Sequence, residues 1–284
     1  MRDVVGRTAF VTGGASGIGL AMARSFAKAG VKVAIADVEA PALERAAAAL
    51  REITPEVLPL SIDITDRDHM ARAAEATAQR FGKIHVLCNN AGVSVAGPID
   101  RMQYTDWDWV MGVNLQGAIN GTQAFLPHIL AHGEGGHIVN TASIAGLVAQ
   151  PGVSIYSCSK YAIVALSEAM RGDLAGKQVG VSVLCPHAVA TGIAESQRNR
   201  PAQLARATPG MPRPPNPALA EAIRQLFASA LDPALVGDIA LEAIRNDEFW
   251  IFSHPAQRVD VQARHDEILA AFDRWEQYCA SLAG

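Results

Sequence analysis

Short apolar runs alternate with longer segments in which apolar residues recur every three or four positions. The runs lie at about 8–12, 31–36, 56–62, 84–89, 137–142, 180–185 and 249–252. They are short, rich in valine and isoleucine, and end in glycine, aspartate or asparagine, so they predict strands. The alanine-rich stretches between them, at about 17–29, 40–52, 66–81, 104–132 and 153–176, predict helices. Asp66 is placed to cap the third. Strand–helix alternation predicts an α/β fold with a doubly wound parallel sheet, as one domain over residues 1–284. Ligands of such sheets bind beyond the carboxyl ends of the strands. Gly13, Asp37, Asp63, Asn90, Ser143 and Pro186 each end or follow a run, so they are expected on one rim.

The alternation breaks at about 191–233, which holds seven of the fifteen prolines. Proline continues neither a helix interior nor a central strand. This insertion, directly after Thr191, is expected to cover a substrate as a lid. A short amphipathic helix is expected where Leu219, Ile223, Leu226, Phe227 and Leu231 recur. Arg198, Arg200, Arg206 and Arg213 read as solvated surface residues, with binding of an acidic substrate the alternative. After residue 255 a helix is expected to run to about Leu282.

Composition narrows the class. Of 284 residues half are apolar and 18% are charged, as in globular chains. A domain of this size buries about three-quarters of its unfolded surface. The net charge of −4 gives no basic field for nucleic acid. No apolar run approaches the roughly 20 residues that span a bilayer. The start, Met1–Gly6, lacks the apolar core of a signal peptide. Cys88, Cys158, Cys185 and Cys279 have no metal-ligand spacing and are expected as reduced thiols in the cytoplasm; no bound metal is expected. His254 and His265 are expected to be structural.

Three local patterns carry chemistry. Thr12-Gly13-Gly14-Ala15-Ser16-Gly17-Ile18-Gly19 joins the first strand to the first helix. Glycines let a backbone approach a pyrophosphate, and a helix N-terminus offers unpaired N–H groups. Asp37 ends the second strand, where a carboxylate can bind a ribose diol and repel a 2′-phosphate. No basic residue follows at Val38, so NAD is favoured over NADP. Tyr156 and Lys160 stand four apart at a helix start, on one face. A cation beside a phenol lowers a pKa that is otherwise about 10.

Together these motifs resemble the short-chain dehydrogenase/reductase family over about residues 7–192. The glycine turn matches TGxxxGxG, Asn89-Asn90-Ala91-Gly92 matches NNAG, and Ser143 precedes Tyr156 by thirteen residues as the family serine does. The resemblance implies Asn114, Ser143, Tyr156 and Lys160 as catalytic residues. Tyr156 would act as general base or acid and Ser143 would hold the substrate oxygen. Lys160 would bind the nicotinamide ribose and hold the phenol down, and Asn114 would orient a relay water. It also implies cofactor contacts from Gly13, Ser16, Gly17, Ile18, Gly19, Asp37, Asp63 (to adenine), Ile64, Asn90, Ala91, Gly92, Pro186, Val189 and Thr191. The substrate would lie among Ser94, Val95, Ile144, Ala145, Gln150, Val153, His187, Ala188 and Ile193. These are mostly apolar and suit a bulky hydrophobic or aromatic secondary alcohol. His187 departs from the family's glycine and reads as a tolerated replacement, with substrate contact the alternative.

Gly117–Gly121, Gly136–Ser143, Ile193–Ser196, Asn199-Arg200-Pro201 and Phe249–Pro255 further resemble bacterial Cα-dehydrogenases that oxidise benzylic alcohols of lignin-derived aryl ethers. The family implies a homodimer or homotetramer. Competing readings are a 3-oxoacyl-type or steroid/sugar alcohol reductase, a redox-neutral relative, and a non-catalytic NAD-binding regulator.

Overall fold

The computed structural model describes residues 1–207, 221 and 230–283. They form two compact units, Met1–Ser253 and His254–Gly284. In the first, seven strands make one sheet: β1 Thr8–Thr12, β2 Lys32–Asp37, β3 Val57–Ser61, β4 Val86–Asn89, β5 Gly136–Thr141, β6 Val179–Cys185 and β7 Trp250–Phe252. Their order is β3-β2-β1-β4-β5-β6-β7, and every pair is parallel. All seven predicted runs are strands.

Helices cover both faces. On one lie α1 Gly17–Lys28, α2 Ala40–Arg51 and α7 Pro233–Asn246. Their Met22, Phe26, Leu43, Leu50, Val236 and Ile244 pack on Ala9, Val11, Val33 and Ile35. On the other lie α3 Arg67–Phe81, α5 Gly117–Ala131 and α6 Ser154–Asp173. Their Met70, Phe125, Ile129 and Ile163 pack on Phe10, Ala34, Leu87 and Ile138. Ala9 and Phe10 thus face opposite layers, as the two-residue period of a strand requires. Phe10 and Phe125 meet with ring centres 4.1 Å apart.

Two expectations change. The single helix expected over 104–132 is α4 Tyr104–Met111, a π-helical turn Gly112–Gln116 and α5. Such turns insert a residue into the α ladder and often mark functional sites. Helix α7 was not expected, although Asp232 caps it by accepting from Ala234 N at 2.8 Å and Pro233 stands in its first turn. Gly237 fits it against α1, since a Cβ there would come within 2.6 Å of the Ala21 backbone. Asp66 caps α3 as expected, accepting from His69 N at 2.9 Å. Leu231 pairs with Val189, but the rest of the helix expected around Leu219–Phe227 lies outside the described residues.

The second unit is α8, Arg258–Ala283, which exposes Leu269, Phe272, Trp275 and Leu282. Among the described residues no helix is long and apolar enough to cross a membrane.

Candidate active site

At the carboxyl ends of β1, β2, β4, β5 and β6 the chain encloses a cavity of about 870 Å³. The glycine turn forms its floor. Gly13 has φ +65°, and a Cβ there would sit 2.9 Å from the Ala91 Cα. Gly17 has φ +53° and comes close to Thr191. Ser16 precedes α1 with its side chain making no capping bond, so the helix N-terminus opens onto the cavity. Thr12 locks the neighbouring turn: its Oγ1 accepts from Asn90 N at 2.9 Å and Ala91 N at 3.0 Å. Asp37 accepts from Ala15 N at 3.2 Å and Glu39 N at 3.1 Å, which fixes its carboxylate at the cavity edge. Asp63 accepts from Thr65 N at 2.9 Å and stands on the same rim. This glycine cradle, open helix end and rim carboxylate fit a dinucleotide.

Tyr156 and Lys160 reach the cavity from the first turns of α6. Lys160 is buried and its Nζ donates to Thr141 O at 2.7 Å. That Nζ lies 5.5 Å from the centre of the Tyr156 ring. Burial pushes the Tyr156 phenol up to about 12, with Ser143 acting the other way. Burial holds the Lys160 ammonium down to about 8. Burial disfavours the charged form of each group and outweighs any lowering of the phenol by the lysine. Ser143 follows β5, accepts from Ala145 N at 3.1 Å and donates to Pro186 O at 3.3 Å.

Most expected site residues line this one cavity. Gly13, Ser16, Gly17, Ile18, Asp37, Asp63, Ile64, Asn90, Ala91 and Gly92 do so from the strand ends of its dinucleotide half. Pro186, Val189 and Thr191 line it after β6. Ser94, Ala145, Gln150, Val153, His187, Ala188 and Ile193 form its wall near Tyr156.

Three do not line it. Gly19 lies behind the turn, where a Cβ would strike the Gly13 carbonyl. Val95 is 1% exposed and joins Trp109, Val110 and Ile155 in a small core, because its neighbour Ser94 takes the cavity side. Asn114 is buried in the π-helical turn. Its Nδ2 donates to Val93 O and Ser159 Oγ, both at 3.0 Å, and its Oδ1 accepts from Val93 N at 2.8 Å. With both amide donors used, the side chain positions Val93 and α6.

The arginines are also corrected. Arg200 and Asp106 form an ion pair at 2.6 Å with side chains 6% and 0% exposed, and Arg206 adds a second at 3.4 Å. Arg198 is half exposed and pairs with Glu39; Arg213 lies outside the described residues. Sequence reasoning missed the cavity contributions of Glu39, Trp109, Ser196, Arg198 and Asn199. For Ser196, Arg198 and Asn199 the only signal was their position shortly after Thr191.

Among the described residues one cluster, His85, His132 and Glu134, brings ligand-type groups together, before β4 and β5. His85 Nδ1 accepts from Thr8 N at 3.2 Å and His132 Nε2 meets Ile84 O at 2.7 Å. Arg7 and Lys83 hold Glu134, so the cluster is a hydrogen-bonded ion-pair knot.

The chain is similar to known proteins over most of its length. The model of the short chain dehydrogenase family matches residues 7–202. A C alpha-dehydrogenase of Sphingobium sp. (strain SYK-6) is 35% identical over 270 residues, 95% of this chain and 87% of the relative. A short chain dehydrogenase/reductase from Burkholderia phymatum, solved in complex with NAD, is 39% identical with a TM-score of 0.89, covering 95% of this chain and 97% of that one. The apo form of LigO from Sphingobium sp. strain SYK-6 is 35% identical with a TM-score of 0.82, covering 97% and 92%. The chain belongs to the short-chain dehydrogenase family.

Proposed function

We propose that this protein interconverts a secondary alcohol and a ketone with NAD(H), on a bulky hydrophobic or aromatic substrate. The observation that carries the reading is convergence: Ser143, Tyr156 and Lys160 line the same cavity as the glycine cradle and Asp37. Bound NAD+ supplies a nicotinamide ring that accepts the hydride. The protein's own work is proton handling and position. In oxidation, the Tyr156 oxygen takes the hydroxyl proton while the Ser143 hydroxyl donates to the same substrate oxygen. In reduction, the Tyr156 phenol returns that proton. Lys160 places a cation over the ring face, and Asn114 holds the start of α6 that carries both residues through Ser159.

Asp37 supports NAD over NADP, as does the NAD complex of the Burkholderia phymatum relative. The apolar wall, with Trp109, Val113, Ile144, Val153 and Leu204, supports a hydrophobic substrate. Similarity to a C alpha-dehydrogenase points the same way. A homodimer or homotetramer in the cytoplasm completes the reading. Exposed Trp250 and Phe252, stacked 5.9 Å apart on the edge strand β7, support association.

The test is a screen of NAD+ reduction across aryl, steroid, sugar and acyl secondary alcohols. Turnover greatest on aryl alcohols bears the reading out. Tight NADH binding with no turnover of any alcohol would favour a non-catalytic NAD-binding protein.

A further inference from the structure

We propose that Arg198 and Glu39 form a clasp across the dinucleotide cleft that sets how fast the cofactor exchanges. The inference rests on the dinucleotide reading above and adds two positioning residues to it. The 3₁₀ segment Gly192–Asn199 begins beside the glycine turn, where a Cβ on Gly17 would stand 3.0 Å from the Thr191 methyl. It is then fastened at two places. Ser196, 4% exposed, accepts from Ser94 N at 3.0 Å and donates to Ser94 O at 3.1 Å. Arg198 and Asn199 hold Glu39. Glu39 follows β2 and Ser94 follows β4, and these strands flank β1 in the sheet. The segment therefore crosses above the turn after β1, where a dinucleotide's phosphates belong.

All three nitrogens of the Arg198 guanidinium make hydrogen bonds. Its Nη2 donates to Glu39 Oε1 at 2.7 Å, and Nε reaches both carboxylate oxygens at 3.2 Å. Its Nη1 donates to Gly192 O at 3.1 Å and Glu195 O at 3.0 Å, tying the fork to its own segment. Asn199 Nδ2 adds a bond to Glu39 Oε1 at 2.8 Å. These donors hold the Glu39 carboxyl below its ordinary range, Arg198 first and Asn199 second.

Exposure decides what such a pair can do. Its side chains are 42% and 29% exposed, against 6% and 0% for the pair of Asp106 with Arg200, two residues further on. A solvent-reached pair is weak and breaks readily, whereas a buried one does not. The Asp106 end is thus a fixed anchor, and the Glu39 end is where the cleft opens.

The experiment is stopped-flow release of NADH from the full chain, for wild type, Arg198→Ala, Glu39→Ala and the double variant. Each single change is expected to speed release about two- to fivefold, the worth of one exposed ion pair. The double variant is expected to be no faster than the faster single, because both remove one interaction. Arg198→Lys, which keeps the charge and loses the fork, is expected to fall between wild type and Arg198→Ala, a rescue that general loosening would not produce. Single variants that release at the wild-type rate, or a double variant equal to the product of the singles, would overturn the clasp while leaving the dinucleotide site standing. Failure of the wild type to bind NADH would overturn both.

Discussion

The ammonium of Lys160 stands 5.5 Å from the centre of the Tyr156 ring and gives its 2.7 Å hydrogen bond to the main chain of Thr141. The two groups share a site, and the charge sits over the ring face. Burial acts on each in the opposite sense, leaving the ammonium at about 8 and the phenol at about 12. The ammonium therefore loses its proton first, near the lower value, and the phenol only near the higher.

The phenol sets the pH profile. Alcohol oxidation needs Tyr156 as the phenolate, so kcat/KM for oxidation should keep rising with pH beyond about 8, where the ammonium titrates, toward the raised phenol value. Ketone reduction needs the protonated phenol and should hold over the same range. Lys160→Met takes the cation from the ring face and should move the rise to still higher pH. An unchanged profile in Lys160→Met would show that the lysine takes no part in it.

Cofactor choice tests the rim of β2. Asp37 faces the cavity with its carboxylate held by two main-chain donors. Repulsion of a 2′-phosphate there should amount to a few kcal/mol. Wild-type kcat/KM should favour NAD+ over NADP+, and Asp37→Ala should narrow the ratio. A wild-type preference for NADP+ contradicts the assignment.

His187 lies half-buried on the cavity wall near Tyr156. His187→Gly should reorder the substrates ranked by kcat/KM and leave the Kd for NADH nearly unchanged. A large loss of NADH affinity alone would make it a cofactor residue instead.

Stability has a test of its own in Asp106. Its carboxylate is fully buried, accepts from Gln103 N at 2.9 Å to cap α4, and neutralises Arg200 and Arg206. Asp106→Ala strands two guanidinium groups in a dry site and should cost about 3–5 kcal/mol in chemical unfolding. A loss under about 1 kcal/mol would mean that water already reaches the pair.

The sheet was readable because parallel strands are buried on both faces and leave continuous apolar runs, as in Val33–Ala36. The rim residues were readable because strand ends place them. What could not be read is what depends on distant partners. Asp106 and Arg200 are separated by 94 residues, and Glu39 and Arg198 by 159, so no local pattern joins them. Val95 was misplaced because pocket membership at a loop turns on which way one side chain points. The burial of Tyr156 is not legible because i, i+4 spacing reports closeness and says nothing of dehydration.

The central claim stands on one oxygen atom. Tyr156→Phe removes the hydroxyl and keeps the ring, so fold and NADH binding should persist. The measurement is the initial rate of NADH formation from an aryl secondary alcohol, wild type against Tyr156→Phe, with NADH binding checked in both. The account predicts a drop in kcat of at least about 10²–10⁴-fold. Near-normal turnover in the folded, NADH-binding variant would contradict it.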